Sequence, residues 1–188
     1  IWRNMLNSKL KIIKDTSLNL LFGNNFDLSY IVEAVDWSIA WDGKQITQAL
    51  NKQKLLKARV SSSPWGLKNQ IVHYGSVNTF HSFGLPKKSV KPILTWFHFV
   101  SKDIKNKKIR ETQEKFGFIH TSCSQTADYL IDFGISQSKI KVVPLGVDLE
   151  LFNPSSMEAK EQLKVRLGLP KDKFIIGSFQ KDSSGWGE

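Results

Sequence analysis

The spacing of apolar positions along this chain changes from one segment to the next, and the changes divide it into elements. Short apolar runs at residues 28–35, 58–60, 70–74, 91–99, 118–122, 140–143 and 174–179 have the length and the β-branched or aromatic content of buried strands. Helical spacing lies between them: Ile46, Ala49, Leu50 and Leu56 behind Asp42, and Ile104, Ile109 and Phe116 in a lysine-rich segment opening at Ser101. Further helices are expected from Ser124 to about Phe133 and from the Ser155-Ser156-Met157-Glu158 signature to Gly168. Asp42, with Gln45 three residues on, suits a helix cap, and Gly134 suits a helix end that needs a left-handed residue.

Strands separated by helices predict parallel βαβ units, hence an α/β fold: a Rossmann-like open parallel sheet with helices on both faces. Three parts are expected. Residues 1–25 form a basic, amphipathic amino-terminal segment, with Trp2, Met5, Leu6, Leu10, Ile13 and Leu21 on a rough helical stripe that could dock on a neighbouring domain or lie on a membrane surface. Residues 26–152 form the Rossmann-like domain. Residues 153–188 carry a linker helix and the first strand of a further domain, because Phe152-Asn153-Pro154-Ser155-Ser156 has linker composition. Ile1 at the start and Gly187-Glu188 at the end suggest a fragment.

Composition narrows the class. The 188 residues are 40% hydrophobic and 23% charged, an ordinary globular balance that disfavours disorder and fibrous architectures. One cysteine, Cys123, excludes an internal disulfide framework, favours a reducing compartment and is expected to be a small buried residue. No stretch reaches the length of a membrane span, so a soluble, cytoplasmic protein is expected. The net charge of +10 suits anionic partners, and Lys87 to Arg110 alone holds eight bases against the single acid Asp103. A solvated helix face is the plainer reading of that run.

In open parallel sheets, ligands bind outside the carboxyl ends of the strands, so the residues there are the candidate chemistry. Asp36, Trp37, Trp41, Asp42 and Gly43 follow the first strand. Carboxylates beside indoles can hydrogen-bond sugar hydroxyls while covering a ring's apolar face, or else form an ordinary strand-to-helix turn with core tryptophans. His73 precedes a small polar turn, Gly75-Ser76-Val77-Asn78. His98 lies at the exit of the TWFHF strand, while Ser122 and Ser124 bracket Cys123. Gly146 and Asp148 follow Pro144, with Asp148 suited to cap the turn through Phe152. There is no HExxH, CxxC, GxSxG or GxxxxGK[ST], which disfavours a dedicated zinc site, a serine hydrolase and a P-loop.

The succession TWFHF (95–99), FIHTSCSQTADYLIDFGI (118–135), KIKVVPLGVDLELFNP (139–154), RLGLP (166–170) and FIIGSFQ (174–180) resembles the GT-B glycosyltransferases of retaining family 4. The resemblance covers about residues 69–180; Leu145 stands where many members have asparagine. It implies two Rossmann-like domains facing across a cleft, the amino-terminal one holding a glycan or lipid-linked acceptor and the other a nucleotide-sugar donor. On this resemblance His98 matches the family histidine that lines the cleft beside the transferred sugar and is the expected catalytic residue. Asp36, Trp41, Gly43, His73, Gly75, Ser76 and Ser122 are the expected acceptor-side lining, and Gly185 and Gly187 the start of the donor-phosphate loop. The family's E-x7-E motif would lie beyond residue 188. No cofactor and no metal are expected, the nucleotide sugar being a substrate. Acceptors of the family often sit at a membrane, which would give the basic run a role in peripheral contact with anionic lipid on the inner face. Two other classes compete: a basic nucleic-acid-binding module, which lacks any recognition signature, and a non-catalytic domain that docks on a membrane or partner. No nucleic acid is the expectation.

Overall fold

The computed structural model of the protein describes residues 2–35, 38–85, 90–98 and 105–177. Six parallel strands form a single sheet: β1 (Leu28–Ile31), β2 (Ala58–Ser61), β3 (Ile71–Tyr74), β4 (Lys91–Thr95), β5 (Phe118–Thr121) and β6 (Ile140–Val142), in the order β2-β1-β3-β4-β5-β6. The helices are α1 (Trp2–Phe22), α2 (Ser38–Lys52), α3 (Val77–Phe83), α4 (Lys105–Glu111), α5 (Ser124–Asp132) and α6 (Met157–Arg166). The sequence therefore specifies an open, all-parallel Rossmann-like α/β fold, as its alternating periodicity predicts.

Two apolar layers show why the sheet sits between helices. On one face Leu28, Tyr30, Val32 and Ala58 pack against Ala40 and Ile39 of α2. On the other, Ile31, Val72, Tyr74, Leu94 and Ile119 pack against Phe80 of α3, Ile109 of α4, and Ala127 and Leu130 of α5. Successive strand residues point to opposite faces, so a strand covered on both sides must be apolar or hydrogen-bonded throughout. Strand β1 fits this: Leu28, Ser29, Tyr30 and Ile31 are all buried, and Ser29 donates its hydroxyl to Gln70 Oε1 at 2.7 Å.

Several boundaries differ from the sequence expectation. The strands are shorter, β1 ending at Ile31 and β4 at Thr95, where the paired register ends. Helix α2 opens at Ser38, so Asp42 lies inside the helix and does not cap it. The segment expected to be a polar turn opens helix α3. Ser76 is its N-cap, its hydroxyl accepting from Thr79 N while the Thr79 side chain bonds back to Ser76 N. The described part of the lysine-rich helix, α4, gives way to a 3-10 turn at Gln113–Lys115, while its expected start at Ser101 lies outside the described residues. Gly134 at φ +96° follows α5 as expected.

Helix α1 is fixed to the sheet by polar contacts. The Asp15 carboxylate accepts from Ser62 N and from the Ser62 hydroxyl, both at 2.6 Å. Asn19 is buried and donates to Ser63 O at 2.7 Å and Trp65 O at 2.9 Å, while Arg59 donates to Asn19 Oδ1 at 2.5 Å. Among the described residues no helix is long and apolar enough to cross a membrane.

Residues 1–145 and 146–188 are separate compact units. In the second, Asp148 Oδ1 accepts from Glu150 N at 2.9 Å and Leu151 N at 3.2 Å, the turn cap that the sequence suggests. Ser156, not Ser155, caps α6 by accepting from Ala159 N at 3.1 Å, and Gly168 at φ +66° ends it. Residues 174–177 form no strand, and among the described residues this unit has no neighbouring strand to pair with them; the rest of that expected strand lies outside the described residues.

Candidate functional site

The sheet order itself selects a location. From β1 the chain moves outward to β2, then crosses back to β3 on the other side of β1, so the direction of winding reverses between β1 and β3. At such a reversal, the loops leaving the two strands part and open a crevice at the carboxyl edge. Val32 and Glu33 leave β1 there, and Gly75 and Ser76 leave β3.

These residues are held at close quarters. Gly75 N donates to Ile31 O at 2.9 Å. A Cβ at Gly75 would stand 2.6 Å from Tyr30 Cε1, 2.8 Å from Ile39 Cγ2 and 3.0 Å from Ile31 O, so glycine alone fits without displacement. Gly43 plays the same part on α2: a Cβ would stand 2.7 Å from Tyr30 Cδ1 and 3.1 Å from Val32 Cγ1. Both glycines, predicted as lining, therefore act by letting α2 and the β3 exit close on Tyr30. Ser76, besides capping α3, donates its hydroxyl to Glu33 Oε1 at 3.3 Å. Glu33 was absent from the sequence-level candidates, although a lone acid directly behind the first apolar run is the signal that marks it.

Helix α2 brings Asp42 and Trp41 over the same end. Burial raises the Asp42 carboxyl above its usual range. The Tyr30 phenol is also pushed up, first by burial and then by the neighbouring Asp42 charge. The Trp41 indole is 57% exposed, so it is not the core residue that the plainer sequence reading required.

A hydrogen-bonded row runs across the sheet from this crevice. The Tyr30 and His73 rings lie 4.5 Å apart, His73 Nε2 meets Thr95 Oγ1 at 2.7 Å, and Thr95 Oγ1 meets His120 Nδ1 at 3.0 Å. His120 Nε2 then donates to Val143 O at 2.8 Å. That last acceptor has no proton to give, so Nε2 of His120 carries one, and Nδ1 faces the Thr95 hydroxyl, which can donate to it. Thr95 in turn accepts from His73 Nε2–H. Burial, and secondarily His120, lowers His73 to about 3, so it is neutral near pH 7. His73, in the strand as the sequence suggests, thus lies within a cross-strand network, and Thr95 and His120 join it through contacts 22 and 25 residues apart in sequence.

The remaining candidates divide. His98 is exposed and stands three residues past the end of β4, its carbonyl accepting from Trp96 Nε1 at 2.9 Å. It follows β4 at the carboxyl edge and does not belong to the strand. Ser122 is half-buried just after β5. Cys123 is exposed, contrary to the buried role expected of it, because it occupies the outward N-cap position of α5. Its thiol is lowered chiefly by the Thr126 hydroxyl, 3.3 Å from Sγ. Asp36, Gly185 and Gly187 lie outside the described residues. Among the described residues, no three His, Cys, Asp or Glu side chains come together to hold a metal.

Two surface depressions, of about 300 and 270 Å³, lie at the opposite edge, lined by Asp27, Asn51 and Lys54 and by Asp27, Gln70 and Lys91. They flank the amino ends of the strands, where no loops part, so the carboxyl edge remains the better candidate. The basic run is not one patch among the described residues. Lys91 is exposed at the amino edge, Lys107 pairs with Glu111 at 3.7 Å, and Arg110 lies over the Phe133 ring at 5.2 Å.

No family model matches the chain, and no solved structure matches it. Over 54 residues it is 43% identical to D-inositol 3-phosphate glycosyltransferase 1 of Catenulispora acidiphila. That segment is 28% of this chain and spans only 12% of the other protein's length. The similarity supports a glycosyltransferase-like origin.

Proposed function

We propose that this chain forms the acceptor-side half of a GT-B glycosyltransferase that moves a sugar from a nucleotide donor, with retention, to a glycan or lipid-linked acceptor. The 43% identity over 54 residues to a named glycosyltransferase carries the class. The geometry is compatible with it. Glu33, half-buried where the winding reverses and held by the Ser76 hydroxyl, offers carboxylate oxygens to sugar hydroxyls, and exposed Trp41 offers a flat apolar face for a ring. In a transfer of this kind, orientation of the acceptor hydroxyl against the anomeric carbon and stabilisation of the departing diphosphate supply most of the acceleration. In this reading His98 hydrogen-bonds the transferred sugar from the acceptor side. The diphosphate would be held by the facing donor domain, whose glycine-rich loop would begin at Gly185 and Gly187.

The test is nucleotide release by the full-length protein carrying this chain, measured against a panel of nucleotide sugars and polyhydroxylated acceptors. Turnover of one donor with an intact anomeric configuration is the expected result. His98→Ala should lower kcat by about a hundredfold or more with the circular dichroism spectrum unchanged. A near-normal kcat would remove His98 from the mechanism, and inertness toward every donor would remove the reading itself.

A further inference from the structure

Helix α1 turns two different faces outward and inward. Asp15 and Asn19, on the inner face, are consumed by hydrogen bonds to residues 62–65. On the opposite side Leu6, Leu10, Ile13, Leu20 and Leu21 are 54–71% exposed. At about 100° per residue these five positions fall within an arc of about 100°, an apolar stripe along some four turns that the exposed Ser17 alone interrupts between Ile13 and Leu20. Leu20, at one edge of the stripe, lies against Gly66, and the stripe is otherwise open to solvent among the described residues. Lys9 and Lys14, both exposed, border the stripe on its two sides. Asp15 is the helix's sole acid, and it faces the sheet.

We infer that α1 is a surface anchor that lays this stripe into the headgroup region of an anionic phospholipid bilayer. The charge pattern selects that occupant. A second protein segment would need acids placed opposite Lys9 and Lys14, whereas an anionic bilayer presents negative charge on both sides of any inserted apolar strip. The polar dock fixes the direction in which the stripe points, so the helix meets a membrane already oriented and with its single negative group withdrawn. The helix lies on the bilayer, since it is not apolar enough to cross it. This inference does not depend on sugar transfer.

Co-sedimentation of the whole chain with phosphatidylcholine vesicles, with and without about one-third phosphatidylglycerol, tests it. Binding to the anionic vesicles, reduced by high salt, is expected. Lys9→Glu with Lys14→Glu should weaken it by at least about tenfold, and Leu10→Ser with Ile13→Ser should do the same at unchanged salt dependence. All four positions are solvent-exposed, so melting temperatures should be preserved; if the apolar pair perturbs the fold, the lysine pair decides. Absence of binding to anionic vesicles, or binding that ignores both pairs, overturns the inference. So does a dimer in sedimentation equilibrium that Leu10→Ser with Ile13→Ser abolishes while vesicle binding is absent, which would hand the stripe to a second copy.

Discussion

Gly75 is the tightest point of the candidate site. A methyl group there must displace the Tyr30 ring, Ile39 and the Ile31 carbonyl together, and the last is backbone in the central strand. Gly75→Ala should therefore cost about 1–3 kcal/mol, read as a lower urea midpoint with an unchanged slope. His73 gives a second residue-level prediction. The folded ring resists protonation down to about 3, while the unfolded ring takes a proton near 6.5. Between those values the unfolded chain binds the extra proton, so stability rises with pH, is complete above 6.5, and is lost progressively as the pH falls toward 3. His73→Gln removes the titrating group, so the stability profile of that variant should be flatter by up to a few kcal/mol over this window (about 1.4 kcal/mol per pH unit at most). A variant whose profile runs parallel to the parent's would show that His73 does not set the acid limb. Neither feature was readable in sequence. Gly75 looks like any turn glycine, and His73 meets Thr95 and His120 only once three strands are brought side by side.

At the scale of elements, segments with a dense apolar run or a glycine stop were legible and segments with neither were not. Strands β3 to β6 and helix α5 announce themselves as apolar runs and a glycine stop. Helix α3 did not, because its seven residues, VNTFHSF, hold too few apolar positions to show a period, and its cap pairs serine with threonine instead of the more familiar glutamate. The early start of α2 was hidden for another reason: Asp42 has the chemistry of a cap, but Ser38 already lies in the helix. Helix α1 was legible as amphipathic, while the face by which it docks was not, since the contacts are polar and reach across more than 40 residues. Asn19 is the centre of that dock, with its amide giving two hydrogen bonds and accepting the Arg59 guanidinium. Asn19→Ala leaves two backbone carbonyls and a half-buried guanidinium without those partners, a loss of about 1–3 kcal/mol. Because the loss falls on one element, it should show first as faster limited proteolysis between α1 and β1, before any large drop in the main melting transition. Equal protection of that junction in parent and variant would place the restraint elsewhere.

For the whole molecule, the all-parallel class followed from alternating periods, but the order β2-β1-β3-β4-β5-β6 did not, because every parallel order gives the same one-dimensional alternation. The order matters functionally: it decides which loops part, and so draws Glu33 and Ser76 into one crevice while leaving His98 at the next strand. It also sets a gradient of stability. Strand β1 is buried along its whole length between β2 and β3, whereas β6 at the sheet edge buries only Ile140. In the unit of residues 146–188, α6 buries none of its ten residues, and a helix of that length without a packed face is marginal in water. Hydrogen exchange should follow this gradient: amides of β1 and β3 exchange last, near the global unfolding free energy, β6 earlier, and α6 first. Any residues that supplied α6 with an apolar partner would slow it selectively. The same measurement on a longer chain therefore asks whether Leu163 and Val165, both exposed here, become protected when more of the protein is present. Protection of α6 equal to that of β1 in the 188-residue chain itself would contradict the separation into two units.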